Sequence, residues 1–188
     1  MLDLNNNALT KKLRQRQNKQ FVYVKRHVFP DVADELKQKK VTGISAIREY
    51  RRYYPTGEMA AHVVGLTNID DQGLEGVELA FDDWLHGSPG KKRVLKNGRG
   101  TIVGDIGLVT EPHHGKDLVL SIDKRIQYLA YRELKRTISH HSAKAGSIVV
   151  LSVDDGEVLA MANLPAFNPN DRSHTKVDSI RNLSLIHI

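Results

Sequence analysis

Two strings in this 188-residue chain have the composition of a serine nucleophile with a lysine one helical turn further on: Ser121-Ile122-Asp123-Lys124 and Ser173-His174-Thr175-Lys176. On a helix, that spacing sets an amine beside a hydroxyl, where it can take the serine proton and ready the oxygen for acyl transfer. Neither string has the setting this chemistry needs. Asp123 reads as a helix N-cap, so Ser121 falls outside the helix that starts at Lys124. Ser173 to Lys176 has no apolar periodicity to anchor a helix. No Ser-Asp-Asn or Lys-Thr-Gly string accompanies either of them, and Lys40-Val41-Thr42-Gly43 has one residue too many. Both strings read as coincidence.

The remaining reactive residue types are sparser. His113-His114 and His140-His141 are adjacent pairs, and neighbours diverge on a helix and oppose each other on a strand, so they read as exposed loop and helix-end residues and no metal is expected. Asp70, Asp71, Glu75 and Glu78 lack the spacing of a calcium loop; Glu75 and Glu78 fit the first turn of a helix, where they complement its dipole. Basic runs at Lys11–Lys19, Lys37–Lys40 and Lys91–Arg99 come without a zinc finger, helix-turn-helix or aromatic RNA-binding pattern. They read as solvated faces, and no nucleic acid is expected.

Composition bounds the rest. Lys and Arg number 28 against 22 Asp and Glu, a net charge of +6, which permits an anionic partner and names none. With no cysteine, a thiolate zinc site, a disulfide scaffold and a cysteine nucleophile are all excluded. No apolar run approaches the ~18 residues of a membrane span. Met1 to Asn7 lacks the basic-then-apolar layout of a secretory signal.

The elements that must position these residues are uneven along the chain. Residues 8–20 favour a mostly solvated helix, Phe21-Val22-Tyr23-Val24 reads as a strand, and Pro30-Asp31 opens a short helix that Gly43 lies beyond. A glycine-rich block follows, in which Glu75–His86 reads as one amphipathic helix stopped by Gly87-Ser88-Pro89-Gly90. Leu118-Val119-Leu120 reads as a short strand before a helix capped by Asp123, with Ile126, Leu129, Ala130, Leu134 and Ile138 on its inner face. Ser147–Val153 and Glu157–Asn163 form a hairpin through Asp154-Asp155-Gly156.

That hairpin is apolar on both faces, so it needs a covering layer on each side. The helix from Lys124 supplies one. Leu164 to Ile188 is too short and too polar to supply the other, which gives the expectation that the chain is a piece of a longer protein.

Two stretches together resemble a known family. Arg52-Tyr53-Tyr54-Pro55-Thr56-Gly57, then Ala61-His62 and Gly65, then Gly73-Leu74-Glu75-Gly76-Val77-Glu78, resemble the pedestal region of class B penicillin-binding proteins. Leu120-Ser121-Ile122-Asp123 with its helix, then Gly156 to Asn163 and Phe167-Asn168-Pro169-Asn170, resemble the opening of their transpeptidase domain. The match is nearest to the division-specific (septal) peptidoglycan transpeptidases, and it runs in order from about Phe21 to Asn182.

The resemblance implies an α+β fold: a pedestal or dimerisation domain over residues 1–112, its N-terminal part incomplete, and over 113–188 the truncated start of a serine transpeptidase (β-lactamase-like) domain. It implies serine acyl transfer between cell-wall stem peptides, with β-lactams as donor mimics and no cofactor. The catalytic serine would follow Asn182 by roughly ten residues, so no catalytic residue is expected in this chain. Past Asn182 the tail leaves the family pattern and reads as a truncated or misread terminus. By the same resemblance, Arg52, Tyr54, Pro55, Gly57, His62, Gly65, Gly73, Glu75, Gly76 and Glu78 form an interdomain motif. Arg51 and Arg52 would tie pedestal to catalytic domain, and His62 would hold a structural hydrogen bond. Division proteins and a membrane glycosyltransferase would dock on the pedestal, on the periplasmic side of the bacterial inner membrane, with an anchor upstream of Met1. A second reading, of a different class, is a non-enzymatic interaction module.

Overall fold

The computed structural model describes residues 5–98, 100, 102–173 and 175–186. His174, in the second Ser-x-x-Lys string, and Arg99, at the end of the third basic run, lie outside the described residues. Contacts divide the chain into two units, Met1–Arg51 and Arg52–Ile188.

The first unit holds helix α1 (Asn6–Gln15) and helix α2 (Pro30–Gln38). Asn5 caps α1 by accepting from the main-chain N–H of Asn7 and Ala8, and Pro30 starts α2 at a position where a missing N–H costs nothing. Phe21–Val24 corrects the sequence expectation, because it joins no ladder. Its β-branched and aromatic residues suit a pleated surface, but a strand exists only with a partner to accept its hydrogen bonds.

The second unit begins with a tight 3-10 turn (Gly57–Ala60), helix α3 (Ala61–Val64), and strands β1 (Leu66–Thr67) and β2 (Gly73–Glu75), which pair antiparallel. Helices α4 (Gly76–Ala80) and α5 (Asp82–Leu85) follow. The expected single helix over 75–86 is therefore broken at Phe81, whose backbone (φ −121°, ψ 27°) leaves the helical region. The Asp82 carboxylate instead accepts from the Gly73 N–H at 2.8 Å, fastening the second piece to β2.

Strands β3 (Lys91–Lys96) and β4 (Ile102–Thr110) make a two-stranded hairpin with three register shifts. The hairpin is not legible in the sequence, because lysines mask β3 and each shift interrupts the two-residue alternation of β4.

Helix α6 (Lys124–His141) and the hairpin of β5 (Gly146–Leu151) and β6 (Val158–Leu164) form the main core. Asp123 caps α6, accepting from the N–H groups of Arg125 and Ile126 at 2.7 and 3.1 Å. Ala130, Tyr131 and Leu134 close onto Ala160, Ala162 and Leu164, with Ile148 and Val150 packed beside them. Small alanines on β6 let the helix approach, and burying a side chain such as Leu134 stabilises by about 2 kcal/mol. Two expectations fail here. Leu129 is half exposed, and Gln127 takes an inward position in its place. Leu118–Leu120 is not a strand; past it, Ser121 and Asp123 touch the hairpin edge, through bonds to the carbonyls of Val158 and Leu159.

On the opposite face, Val149 and Leu151 are 45% and 55% exposed. The hairpin is thus covered by α6 on one side and open on the other. A short helix, α7 (Val177–Ile180), is the last regular element among the described residues.

Candidate functional site

The motif residues Arg52 to Glu78 gather at a polar seam inside the second unit. Its first piece is an ion pair. The Arg52 guanidinium donates to both carboxylate oxygens of Glu78, at 2.7 and 3.2 Å, and the Glu78 side chain is almost wholly buried. A two-pronged arginine suits this task because a carboxylate taken from water needs both oxygens satisfied. Glu78 lies in the first turn of α4, as expected, and there it also anchors a buried pair. One expectation is corrected: the partner of Arg52 lies in the same motif rather than in residues 113–188.

Glycine makes the approach possible. Gly65, at φ 82°, lies so close to the main chain of Glu75 that any Cβ would collide with that carbonyl. Gly76, at φ 61°, meets Gly65 from the other side, so β1 and the start of α4 touch backbone to backbone. Glu75 is the residue before α4, with an exposed side chain that makes no cap.

Tyr54 is held at three points. Asn170 closes its main chain as a strand would: the Tyr54 N–H donates to Oδ1 at 2.9 Å and the Tyr54 carbonyl accepts from Nδ2 at 2.8 Å. The Tyr54 hydroxyl accepts from the Thr67 N–H at 2.9 Å. Pro55 presets the turn that returns the Gly57 N–H to the Tyr54 carbonyl at 3.0 Å. Arg172 then donates to the Thr67 carbonyl at 2.8 Å.

His62 is buried, edge-on to Phe167 at 5.4 Å between ring centres. Its Nε2 lies 2.8 Å from the Ser179 carbonyl, which can only accept, so Nε2 carries a proton. Burial holds the His62 pKa below its ordinary value, against the smaller pull of the Ser179 carbonyl. The Asn182 amide donates to the His62 carbonyl at 3.3 Å. Asn163, only 2% exposed, donates to Asn182 and accepts from the main chain and hydroxyl of Ser184.

Gln127 completes the seam at 1% exposure. Its amide donates to the carbonyls of Met59 and Met161, at 2.7 and 3.0 Å, and its oxygen accepts from the Met161 N–H at 2.8 Å. One side chain thereby joins the 3-10 turn to strand β6. Beside it, Lys135 bridges Glu58 at 3.2 Å and the Tyr131 hydroxyl at 3.3 Å. A hydrogen bond from Tyr131, helped by Lys135, keeps the Glu58 carboxyl below its usual range.

The sequence carries one signal for this network. Position 127 falls with Ala130, Tyr131 and Leu134 on the apolar stripe of α6, and a glutamine there must find partners. Asn163, Asn170, Arg172 and Asn182 gave none, since polar residues at a strand end or in a loop look solvated.

Nucleophilic geometry is not found at either Ser-x-x-Lys string. The Ser121 hydroxyl donates to the Val158 carbonyl at 2.8 Å, and the Ser173 hydroxyl to the Asp171 carboxylate at 2.7 Å. His113, His114, His140 and His141 are exposed. Among the described residues, no three His, Asp or Glu side chains converge on a point that could hold a metal ion.

Comparison with known proteins fixes the family of the chain. Residues 1–120 match the family described as the penicillin-binding protein dimerisation domain. The chain belongs to that family.

Its relatives continue the match past residue 120. The peptidoglycan D,D-transpeptidase FtsI of Escherichia coli strain K12 is 46% identical over 168 residues, 89% of this chain and 28% of that protein. The probable peptidoglycan D,D-transpeptidase PenA of Neisseria gonorrhoeae is 41% identical over 184 residues, 97% of this chain and 32% of that protein. The crystal structure of penicillin-binding protein 3 from Mycobacterium tuberculosis in complex with aztreonam overlays on 64% of this chain and 23% of that one, at 34% identity and a TM-score of 0.54. The chain therefore spans about three tenths of the length of the curated relatives it matches. In this penicillin-binding-protein family member, the α+β fold expected from the resemblance is the fold observed.

Proposed function

We propose that the chain is the pedestal, residues 1–112, and the opening of the transpeptidase domain, residues 113–188, of a septal peptidoglycan D,D-transpeptidase. The parent enzyme cross-links cell-wall stem peptides by serine acyl transfer, is trapped by β-lactams, and works from the inner membrane on the periplasmic side. The seam from Arg52 to Gly76 is the fastening between the two parts. The observation that carries this reading is that Tyr54, His62 and Thr67 each end on a group contributed from residues 170–182. A solvated linker has no use for such buried, directional bonds.

The seam supplies position, not chemistry. Asn170, Gln127 and Asn182 hold main-chain groups, and nothing among the described residues takes a proton from a serine. Catalysis that depends on an acyl-enzyme needs its nucleophile within a fraction of an ångström of place, so a rigid base under the catalytic unit contributes through geometry.

Two arms test the proposal with a fluorescent penicillin. The chain alone takes no covalent label. A chimera in which this chain replaces the matched segment of the Escherichia coli relative is labelled at its active-site serine. A chimera that folds but is never acylated would contradict the assignment, as would stable labelling of the chain itself that Ser121→Ala removes.

A further inference from the structure

Asn97-Gly98 is the one Asn-Gly pair in the chain, and it sits at the tip of the β3–β4 hairpin, directly after the last rung of the ladder, Lys96 with Ile102. Both residues are exposed. An asparagine side chain carries its amide carbonyl within reach of the next residue's main-chain nitrogen, and a five-membered ring closes if that nitrogen attacks. Most side chains at the following position crowd the closure. Glycine, with no Cβ, leaves it open.

The turn favours the same attack. The Asn97 carbonyl accepts from the Gly100 N–H at 2.9 Å, which closes a four-residue turn. The N–H of the second residue takes no part in such a closing bond, and Gly98 makes no hydrogen bond to another described residue. The bond to the Asn97 carbonyl also draws electron density from the peptide unit that contains the Gly98 N–H, so that proton is easier to remove. A Cβ added at Gly98 would meet no atom within 4 Å beyond its chain neighbours, so the attacking nitrogen and the side chain have room to turn toward each other.

The other long hairpin supplies the contrast. Asp155-Gly156, between β5 and β6, is the matching acidic pair. There the Gly156 N–H donates to the Ser152 carbonyl at 3.1 Å, and the Asp155 carboxylate accepts from the Glu157 N–H at 3.1 Å. Bonds from Ser152 and Glu157 hold the Asp155 carboxyl below its ordinary value, and an ionised carboxylate resists a nucleophile. Among the asparagines, Asn168 precedes Pro169, which has no N–H to lose, and the amides of Asn163, Asn170 and Asn182 are fixed in the seam.

We propose that Asn97 is a self-modification site, at which the Gly98 nitrogen attacks the side-chain carbonyl and, with water as the only co-reactant, converts asparagine to isoaspartate. The bond from the Gly98 nitrogen to Cγ forms, the Cγ–Nδ2 bond breaks, and the proton of the Gly98 nitrogen leaves with Nδ2 as ammonia. Water then opens the cyclic imide. Addition at the main-chain carbonyl breaks its bond to the Gly98 nitrogen and leaves the chain running through Cβ and Cγ; addition at Cγ gives aspartate. Either product puts a carboxylate in place of a neutral amide, so the net charge of +6 falls by one. Isoaspartate also adds a carbon to the main chain at a tip whose ladder already shifts register between Leu95 and Lys96. The step runs one way, so the converted fraction records the age of the molecule. The inference stands on this hairpin alone and is independent of the transpeptidase reading.

The test follows the full chain in mildly alkaline buffer by peptide mapping and mass spectrometry, beside a synthetic peptide of residues 95–100. Asn97 should gain about 1 Da as NH₂ becomes OH, with isoaspartate exceeding aspartate. Its rate should lie within about threefold of the peptide's and rise with pH, since the attacking nitrogen must lose its proton. Asp155 should convert at least about tenfold more slowly than Asn97. Gly98→Ala, for which the turn has room, should slow conversion of Asn97 at least about tenfold with the unfolding midpoint unchanged. A folded chain that protects Asn97 at least about tenfold relative to the peptide would overturn the proposal. So would aspartate formed without isoaspartate, which marks direct hydrolysis, or a Gly98→Ala chain that converts at the wild-type rate. Equal rates at Asn97 and Asp155 would overturn it as well, because the two hairpins would then not differ in the way their hydrogen bonds require.

Discussion

Asn170 satisfies both main-chain groups of Tyr54 with a single side chain, accepting from its N–H at 2.9 Å and donating to its carbonyl at 2.8 Å across 116 positions of sequence. The amide acts as a one-residue strand. It needs an oxygen and an NH₂ together, so neither a carboxylate nor an alkyl group can replace it.

Asn170→Ala should cost about 2–3 kcal/mol, because two main-chain groups lose their partner. Asn170→Asp keeps the acceptor and loses the donor, so it should fall between wild type and alanine. Urea unfolding of the three proteins checks the order, and an alanine variant within about 0.5 kcal/mol of wild type would contradict it.

Gln127→Leu removes the partner of three main-chain groups, the carbonyls of Met59 and Met161 and the N–H of Met161. A loss of about 3 kcal/mol is expected even though leucine is the better helix former and more apolar. A stabilised variant would show that α6 packs without the amide.

For the ion pair, Arg52→Ala should be more damaging than Glu78→Ala, since it leaves a buried carboxylate while the reverse leaves a guanidinium that is still 44% exposed. Arg52→Lys should recover only part of the loss, having one point of charge in place of two aligned donors. A double-mutant cycle should give a coupling of about 2 kcal/mol, and additive losses would remove the pair from the account.

The pH dependence has a definite sign. The folded pKa of His62 is depressed by burial, so below about 6.5 the unfolded chain binds a proton that the folded chain resists. His62 therefore contributes its full stability above that pH, and the contribution is lost as pH falls through 6.5 toward the folded value. Glu58, also depressed, adds a separate loss at lower pH as its carboxylate is protonated. His62→Gln, which can still donate to the Ser179 carbonyl, should flatten the stability profile between pH 7 and 5 relative to wild type. A wild-type midpoint that does not move across that window would contradict the burial of a neutral imidazole.

Legibility followed the range of the interactions. Helix α6 and the β5–β6 hairpin were readable because their signals are local: Asp123 at the cap, a 3.6-residue stripe, and Asp155-Gly156 between two β-branched runs. The open hairpin face followed from alternation alone, and Leu151 is indeed exposed. Phe21–Val24 failed as a strand because propensity cannot supply the neighbour that a ladder needs. The single helix over 75–86 failed because the bond from Gly73 to Asp82 outweighs a periodic stripe. The seam was legible as a set of residues through family resemblance, but its partners were not, since Asn163, Asn170 and Asn182 acquire meaning only when residues more than a hundred positions away arrive beside two of them.

Amide hydrogen exchange on the intact chain tests the central claim most directly. The main-chain N–H groups of Tyr54, Thr67 and Met161 are held by Asn170, the Tyr54 hydroxyl and Gln127, so all three should exchange only with global unfolding of the second unit and share one opening free energy. Exchange of Tyr54 and Thr67 at the rate of an exposed loop, while Met161 remains protected, would show that the pedestal motif is not fastened to the α6–hairpin core.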